Sequence, residues 1–275
     1  GFGQQTYVPD DNFEAYLETN GMGNGIANDD YVTTANINTV TNLFILNLSI
    51  TDITGVEGFT ALTYLYCDDN QLTILDVSQN TALTELSCGN NQLTTLDVSQ
   101  NTNLAYFVCG SNQLTSLDVN NNLALTQLRC GYNQLTLLDV SNNTALQTLY
   151  CDNNLLTTLD VSSNTALNYV SCVSNLFTSL DLSQNTLLLS LWCQDNQLTI
   201  LDVSNNTALY TLFCDNNQLT SLDVRNGNNI NWTFDDGFFF GCANNPSLTC
   251  IEVDDDAWST ANLTVAISAT AFGFF

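Results

Sequence analysis

Residues 62–82 read LTYLYCDDNQLTILDVSQNTA, and the same pattern restarts at Leu83, Leu104, Leu125, Leu146, Leu167, Leu188 and Leu209. Eight 21-residue units thus fill residues 62–229 without a gap. A strict period of this length marks a repeat solenoid, in which each turn buries an apolar face on the next and no single turn is a domain. Counted from the first Leu, positions 1, 4, 6, 11, 14 and 16 are apolar, as in Leu62, Leu65, Cys67, Leu72, Leu75 and Val77. Positions 9 and 19 are Asn, as in Asn70 and Asn80, until the last unit degenerates after Arg225. The unit is nearly its own half-repeat, so each coil is expected to make two short extended segments separated by Asn-stabilised turns. Parallel strands about 4.8 Å apart would give a stack roughly 40 Å long, mostly β and coil.

The pattern L-x-x-L-x-C-x-x-N-x-L-T-x-L-D-V-S-x-N-T-x resembles the leucine-rich repeat family, in particular its bacterial 21-residue class, with Cys in place of the third Leu. The resemblance covers residues 62–229, with residues 43–61 a looser unit. It implies stacked parallel strands, secretion or display on a cell surface as in Bacteroidetes, and binding or adhesion in place of catalysis.

The ends depart from the period. Residues 1–42 are expected to cap the start: Asp10 or Asp11 can open a short helix carrying Phe13, Tyr16 and Leu17 on one face, and Gly21 can end it. Residues 43–61 form an irregular unit, and residues 230–275 a C-terminal cap. There Cys242 falls 28 residues after Cys214, and the seven extra residues include Phe238, Phe239 and Phe240. These aromatics either fold over the last turn or offer a self-association surface for another copy of the chain.

Charge is extreme. Two basic residues, Arg129 and Arg225, stand against 28 acidic ones for a net charge of −26, with no His. No basic patch can neutralise phosphates, which excludes nucleic acid, and an anionic membrane surface repels the chain. No apolar run approaches the roughly 18 residues of a membrane helix. The chain opens GFGQQTYVPD without an initiator Met, as after removal of a signal peptide, and is expected to be secreted or on the cell surface.

Three invariant columns could carry chemistry. Cys67, Cys88, Cys109, Cys130 and their four successors occupy position 6. Parallel stacked thiols do not converge as a tetrahedral metal site requires, and sit too far apart for disulfides, so a structural role as small buried hydrophobes is expected. Cys242 and Cys250 lie outside the column; an exported cap permits a disulfide between them, but spacing does not secure it. Asn70, Asn91 and their successors read as structural, bonding to turn backbone. Asp76, Asp97, Asp118, Asp139 and their successors at position 15 would repel by roughly 0.9 kcal/mol per neighbouring pair. Local N–H and Ser hydroxyl donors can offset that, and Ca²⁺ bridging adjacent carboxylates is the alternative; no other cofactor is implied.

The framework varies at positions 3 and 5, which flank buried position 4. The candidates there are Tyr64, Tyr66, Tyr106, Arg129, Tyr150, Tyr169, Trp192 and Phe213, with position 7 adding Asp68, Asp152 and Asp215. Aromatics among carboxylates and amides suit a protein or glycan ligand, although aromatics also favour strands for their own sake. Without His or Lys no Ser-His-Asp or Cys-His arrangement exists, and no Gly-rich phosphate loop is present. A carboxylate pair such as Asp68 with Glu85 leaves glycoside hydrolysis as a formal possibility. The expected function is therefore a non-enzymatic binding or adhesion module. A structural homo-oligomer or filament is the alternative, and an ice-binding surface on Thr73, Thr94 and Thr115 a weaker one.

Overall fold

In the computed structural model of the protein, residues 3–228 and 240–255 are described. They fall in two compact units, residues 1–135 and 136–275. No helix among the described residues is long and apolar enough to cross a membrane.

The first unit opens with β1 (Gln5–Tyr7), antiparallel to β2 (Tyr31–Thr33), a pairing that the sequence pattern did not announce. Between them lies α1 (Asp11–Thr19). Its N-cap is Asp10, whose Oδ1 accepts the N–H groups of Asn12 and Phe13 at 3.0 Å. The helix stops because Gly21 adopts φ +73°, letting Gly21 N–H reach Glu18 O and Met22 N–H reach Leu17 O. Phe13 and Leu17 are buried, with Phe13 stacked on Phe59 at 6.5 Å, whereas Tyr16 is only half-buried. Glu14 completes the inner face instead, because its carboxylate accepts the N–H groups of Asp29 and Asp30. Asp10 also ties the helix to the irregular unit, its Oδ2 accepting from Thr51 N, Thr51 Oγ1 and Asp52 N. A short α2 (Thr34–Ile37) follows.

From there the coils stack. β3 (Asn42–Phe44), β4 (Tyr64–Tyr66), β5 (Glu85–Ser87), β6 (Tyr106–Val108) and β7 (Gln127–Arg129) form a parallel sheet. The register is position on position, with Tyr64 beside Glu85 and Glu85 beside Tyr106. In the second unit β8 (Thr148–Tyr150), β9 (Tyr169–Ser171), β10 (Ser190–Trp192), β12 (Thr211–Phe213) and β14 (Phe240–Gly241) pair in the same way. There the second segment also makes a parallel sheet of β11 (Ile200–Asp202), β13 (Ser221–Asp223) and β15 (Cys250–Glu252). In the first unit the second segment gives only one bridge, between Asp76 and Asp97. In both units the second segment ends in the same turn, with Asn80 N–H bonding Val77 O and Leu83 N–H bonding Asn80 O in one, and Asn206 N–H bonding Val203 O and Leu209 N–H bonding Asn206 O in the other.

The Asn columns bond to the backbone of the coils around them. Asn91 Nδ2 donates to Cys67 O, Cys88 O and Gly89 O, while its Oδ1 accepts Leu72 N–H. Asn196 repeats this in the second unit with Cys172 O, Cys193 O, Gln194 O and Phe177 N–H. Position 19 serves the other turn through its amide N–H groups alone: Asn101 Nδ2 donates to Val77 O and Asn80 O, and its Oδ1 is buried without a hydrogen-bond partner. The position 9 amides thus satisfy carbonyls of two consecutive coils, and Asn101 those of the coil before its own, which would otherwise be buried bare.

Coil geometry is present again from residue 240. Phe240 pairs with Leu212, and Asn245 takes the ladder position, its Nδ2 reaching Cys214 O and Cys242 O. A Cβ at Gly241 would lie 2.4 Å from Asp215 Oδ2, so any larger residue there would displace that carboxylate. This corrects one expectation. Phe240 fills the inward position of its coil and is 1% exposed, so it offers no surface to another copy. Phe238 and Phe239 lie outside the described residues.

Candidate binding site

Within the regular units each first-segment strand is three residues long, with position 4 buried and positions 3 and 5 on the outer face. In the first unit Tyr64, Tyr66 and Tyr106 are half-buried and Arg129 is exposed. Tyr66 packs at 5.3 Å against Phe44, an exposed ring one strand earlier that lies in the irregular unit and was missed. The Tyr66 hydroxyl donates to the Glu85 carboxylate. Burial first, and Glu85 second, push the hydroxyl pKa well above its ordinary value.

In the second unit the candidates gather. Tyr150, Tyr169, Trp192 and Phe213 line one open groove with Tyr210, a position 2 residue outside the columns considered. Trp192 is 44% exposed and meets Phe213 edge to face, with centroids 5.8 Å apart and planes at 89°. Tyr210 and Tyr169 share a hydroxyl hydrogen bond, which with burial raises the Tyr210 pKa. The groove exists because the columns alternate in size: Ser171 lies between Tyr150 and Trp192, and Ser190 between Tyr169 and Thr211. These small residues line the floor of the groove and are largely buried between their larger neighbours in the columns.

The position 7 carboxylates are not free ligand groups. Asp68 Oδ1 accepts from Ser87 Oγ at 2.7 Å and Gly89 N at 2.8 Å. Asp152 accepts from Ser171 Oγ and Val173 N, and Asp215 from Ala243 N. Each latches its coil to the next; burial raises the Asp215 pKa despite the Ala243 bond. With Glu85 held by Tyr66 and Asp68 by Ser87, the pair considered for glycoside hydrolysis is engaged inside the framework.

The invariant columns behave as framework. All ten cysteines are free, and all are buried except Cys250. Burial pushes the thiol pKa of Cys67, Cys88, Cys109, Cys172, Cys193 and Cys214 far above the ordinary value. Burial first, and Asp215 second, push that of Cys242 up to about 12. Asp76, Asp97, Asp118 and Asp139 accept the N–H two residues ahead at 2.8–3.0 Å. The Ser78 and Ser99 hydroxyls and amides hold Asp76 and Asp97 below the usual carboxylate range, opposed by burial in both and, for Asp76, by repulsion from Asp97 as the smallest influence. Elsewhere, Asp11, Glu14 and Asp30 bring carboxylate oxygens within 4.8 Å of one another, a cluster that the sequence pattern did not single out.

Comparison with known proteins follows this geometry. The structure of an internalin, inlF, from Listeria monocytogenes superimposes with a TM-score of 0.63 over 98% of this chain and 97% of that one, at 20% identity. The fold is a leucine-rich repeat solenoid. A leucine-rich repeat protein of Leptospira interrogans matches with a TM-score of 0.61 at 24% identity, over 78% of this chain and 53% of that one. The functional domain of InlJ from L. monocytogenes, described as including a cysteine ladder, is 32% identical over 92% of this chain and 62% of that one, with a TM-score of 0.49. In sequence, Internalin J of L. monocytogenes is 42% identical over 74 residues. That match takes in 27% of this chain and 8% of the relative, so the chain spans a small part of it. The LVIVD repeat family matches residues 63–88 and 193–213, less than a fifth of the chain.

Proposed function

We propose that the protein is a non-enzymatic binding or adhesion module, secreted or held at a cell surface, that takes a protein partner on the groove between β8 and β12. The observation that carries this reading is the groove itself. It is the place where exposed aromatic side chains gather around small residues, on positions that vary while the framework stays fixed. Aromatic anchors beside a desolvated floor are the composition of a binding hot spot. The similarity to proteins named internalins adds support at the level of fold and of a short stretch of sequence. The absence of His and Lys removes the usual general bases, and the conspicuous carboxylates are spent on coil-to-coil bonds.

The test is capture from surface extracts and glycan arrays, followed by Trp192→Ala and Tyr150→Ala. Each substitution is expected to weaken the captured ligand at least about tenfold, as a hot-spot truncation does, without lowering the melting temperature appreciably. Unchanged binding sinks the assignment to this groove.

A further inference from the structure

Resting on that reading of the groove, we propose that its occupant is the guanidinium group of an arginine side chain presented by the partner protein. Three observations converge on that chemistry. The Trp192 and Phe213 rings stand at 89° with centroids 5.8 Å apart, so they form a corner and not a shared plane. A sugar ring stacking on a sheet face wants coplanar rings; a compact cation wants ring faces from several directions, each centroid within about 6 Å. The spacing is also right for a planar group. Tyr150 and Trp192 flank Ser171 on three consecutive strands, which sets their backbone positions about 9.6 Å apart at strand spacing. Two van der Waals contacts of about 3.5–4 Å fit in that interval with room for tilt.

Charge decides the sign. The chain carries −26, and none of the residues lining the groove is basic. Arg225 is already engaged by Asp223 and Glu252. At the floor, the Ser171 hydroxyl donates to Asp152, which leaves the serine oxygen as an acceptor polarised by a carboxylate. A guanidinium N–H can use such an acceptor while its plane rests on the tryptophan, and it gives up hydration more readily than a primary ammonium.

The experiment uses the full chain, a blocked Gly-Arg-Gly peptide, its citrulline counterpart, which keeps the shape and removes the charge, and a β-linked glucose oligosaccharide. Binding is followed by calorimetry and by Trp fluorescence, with Trp192→Ala and Trp192→Phe as variants. The arginine peptide is expected to bind at least tenfold more tightly than the citrulline peptide. Trp192→Ala should remove that preference, and Trp192→Phe should keep most of it. Equal affinity for arginine and citrulline, or Trp192-dependent binding of the oligosaccharide alone, overturns the proposal. A captured protein partner that needs Trp192 but is not displaced by the arginine peptide overturns the guanidinium assignment and leaves the binding face standing. If capture does not depend on Trp192, both fall.

Discussion

Single residues show how local chemistry fixes each coil. Position 8 turns through the left-handed region in every unit, from Asp69 at φ +58° to Asn216 at +54°. Asp and Asn fill most of these positions because their short polar side chains tolerate that conformation. Tyr132 adopts it too, at φ +56° and 62% exposed, a departure readable in the sequence only once the backbone is known. Asp10 carries the clearest prediction. Burial pushes its carboxyl up, but bonds from Thr51, Phe13 and Asp52 outweigh this, and its pKa falls below 3.8. A carboxyl depressed in the folded state contributes stability that is present above the unfolded value and lost as pH falls through the folded one. Asp10→Asn supplies one acceptor oxygen where two served, and should cost about 1 kcal/mol or more at pH 7, the scale of a lost N-cap. Thermal melts across pH should show the gap to wild type narrowing below pH 3.8; a constant gap contradicts the role of its charge.

Strands and ladders are the scale at which the sequence was most legible. Apolar positions 1, 4, 6 and 11 and the Asn columns all lie where a 21-residue coil requires them, and the one-strand step follows from the period alone. Less legible was the second segment, whose alternation suggests a strand but which pairs as one only at β11, β13 and β15. The coil after the insertion was also hidden, because 28 residues separate Asn245 from Asn217 and the period no longer points to it. In the groove, columns told which side chains face outward but not that Ser171 and Ser190 are nonetheless buried, since that depends on packing across strands. The cysteine ladder gives a direct check of burial. Thiol alkylation of the native protein should label Cys250 alone, and denaturation should expose all ten cysteines. Native labelling of several cysteines contradicts a closed coil interior.

For the molecule as a whole, regularity and function separate. The repeated columns spend their hydrogen bonds on one another, so the residues free to meet a partner are those the repeat does not specify. A net charge of −26 then biases which partners approach, favouring cationic surfaces at low salt and weakening that preference as salt screens it. The two outer faces of one coil allow the groove to be tested apart from the rest of the surface. Trp192 lies on β10 in the groove, and Ile200, 59% exposed, lies on β11 of the same coil. The decisive measurement is partner affinity for Trp192→Ala beside Ile200→Ala, with matched melting curves. Loss of at least about tenfold for Trp192→Ala and none for Ile200→Ala is the expected result; equal loss in both, or loss only in Ile200→Ala, contradicts a binding site on the aromatic groove.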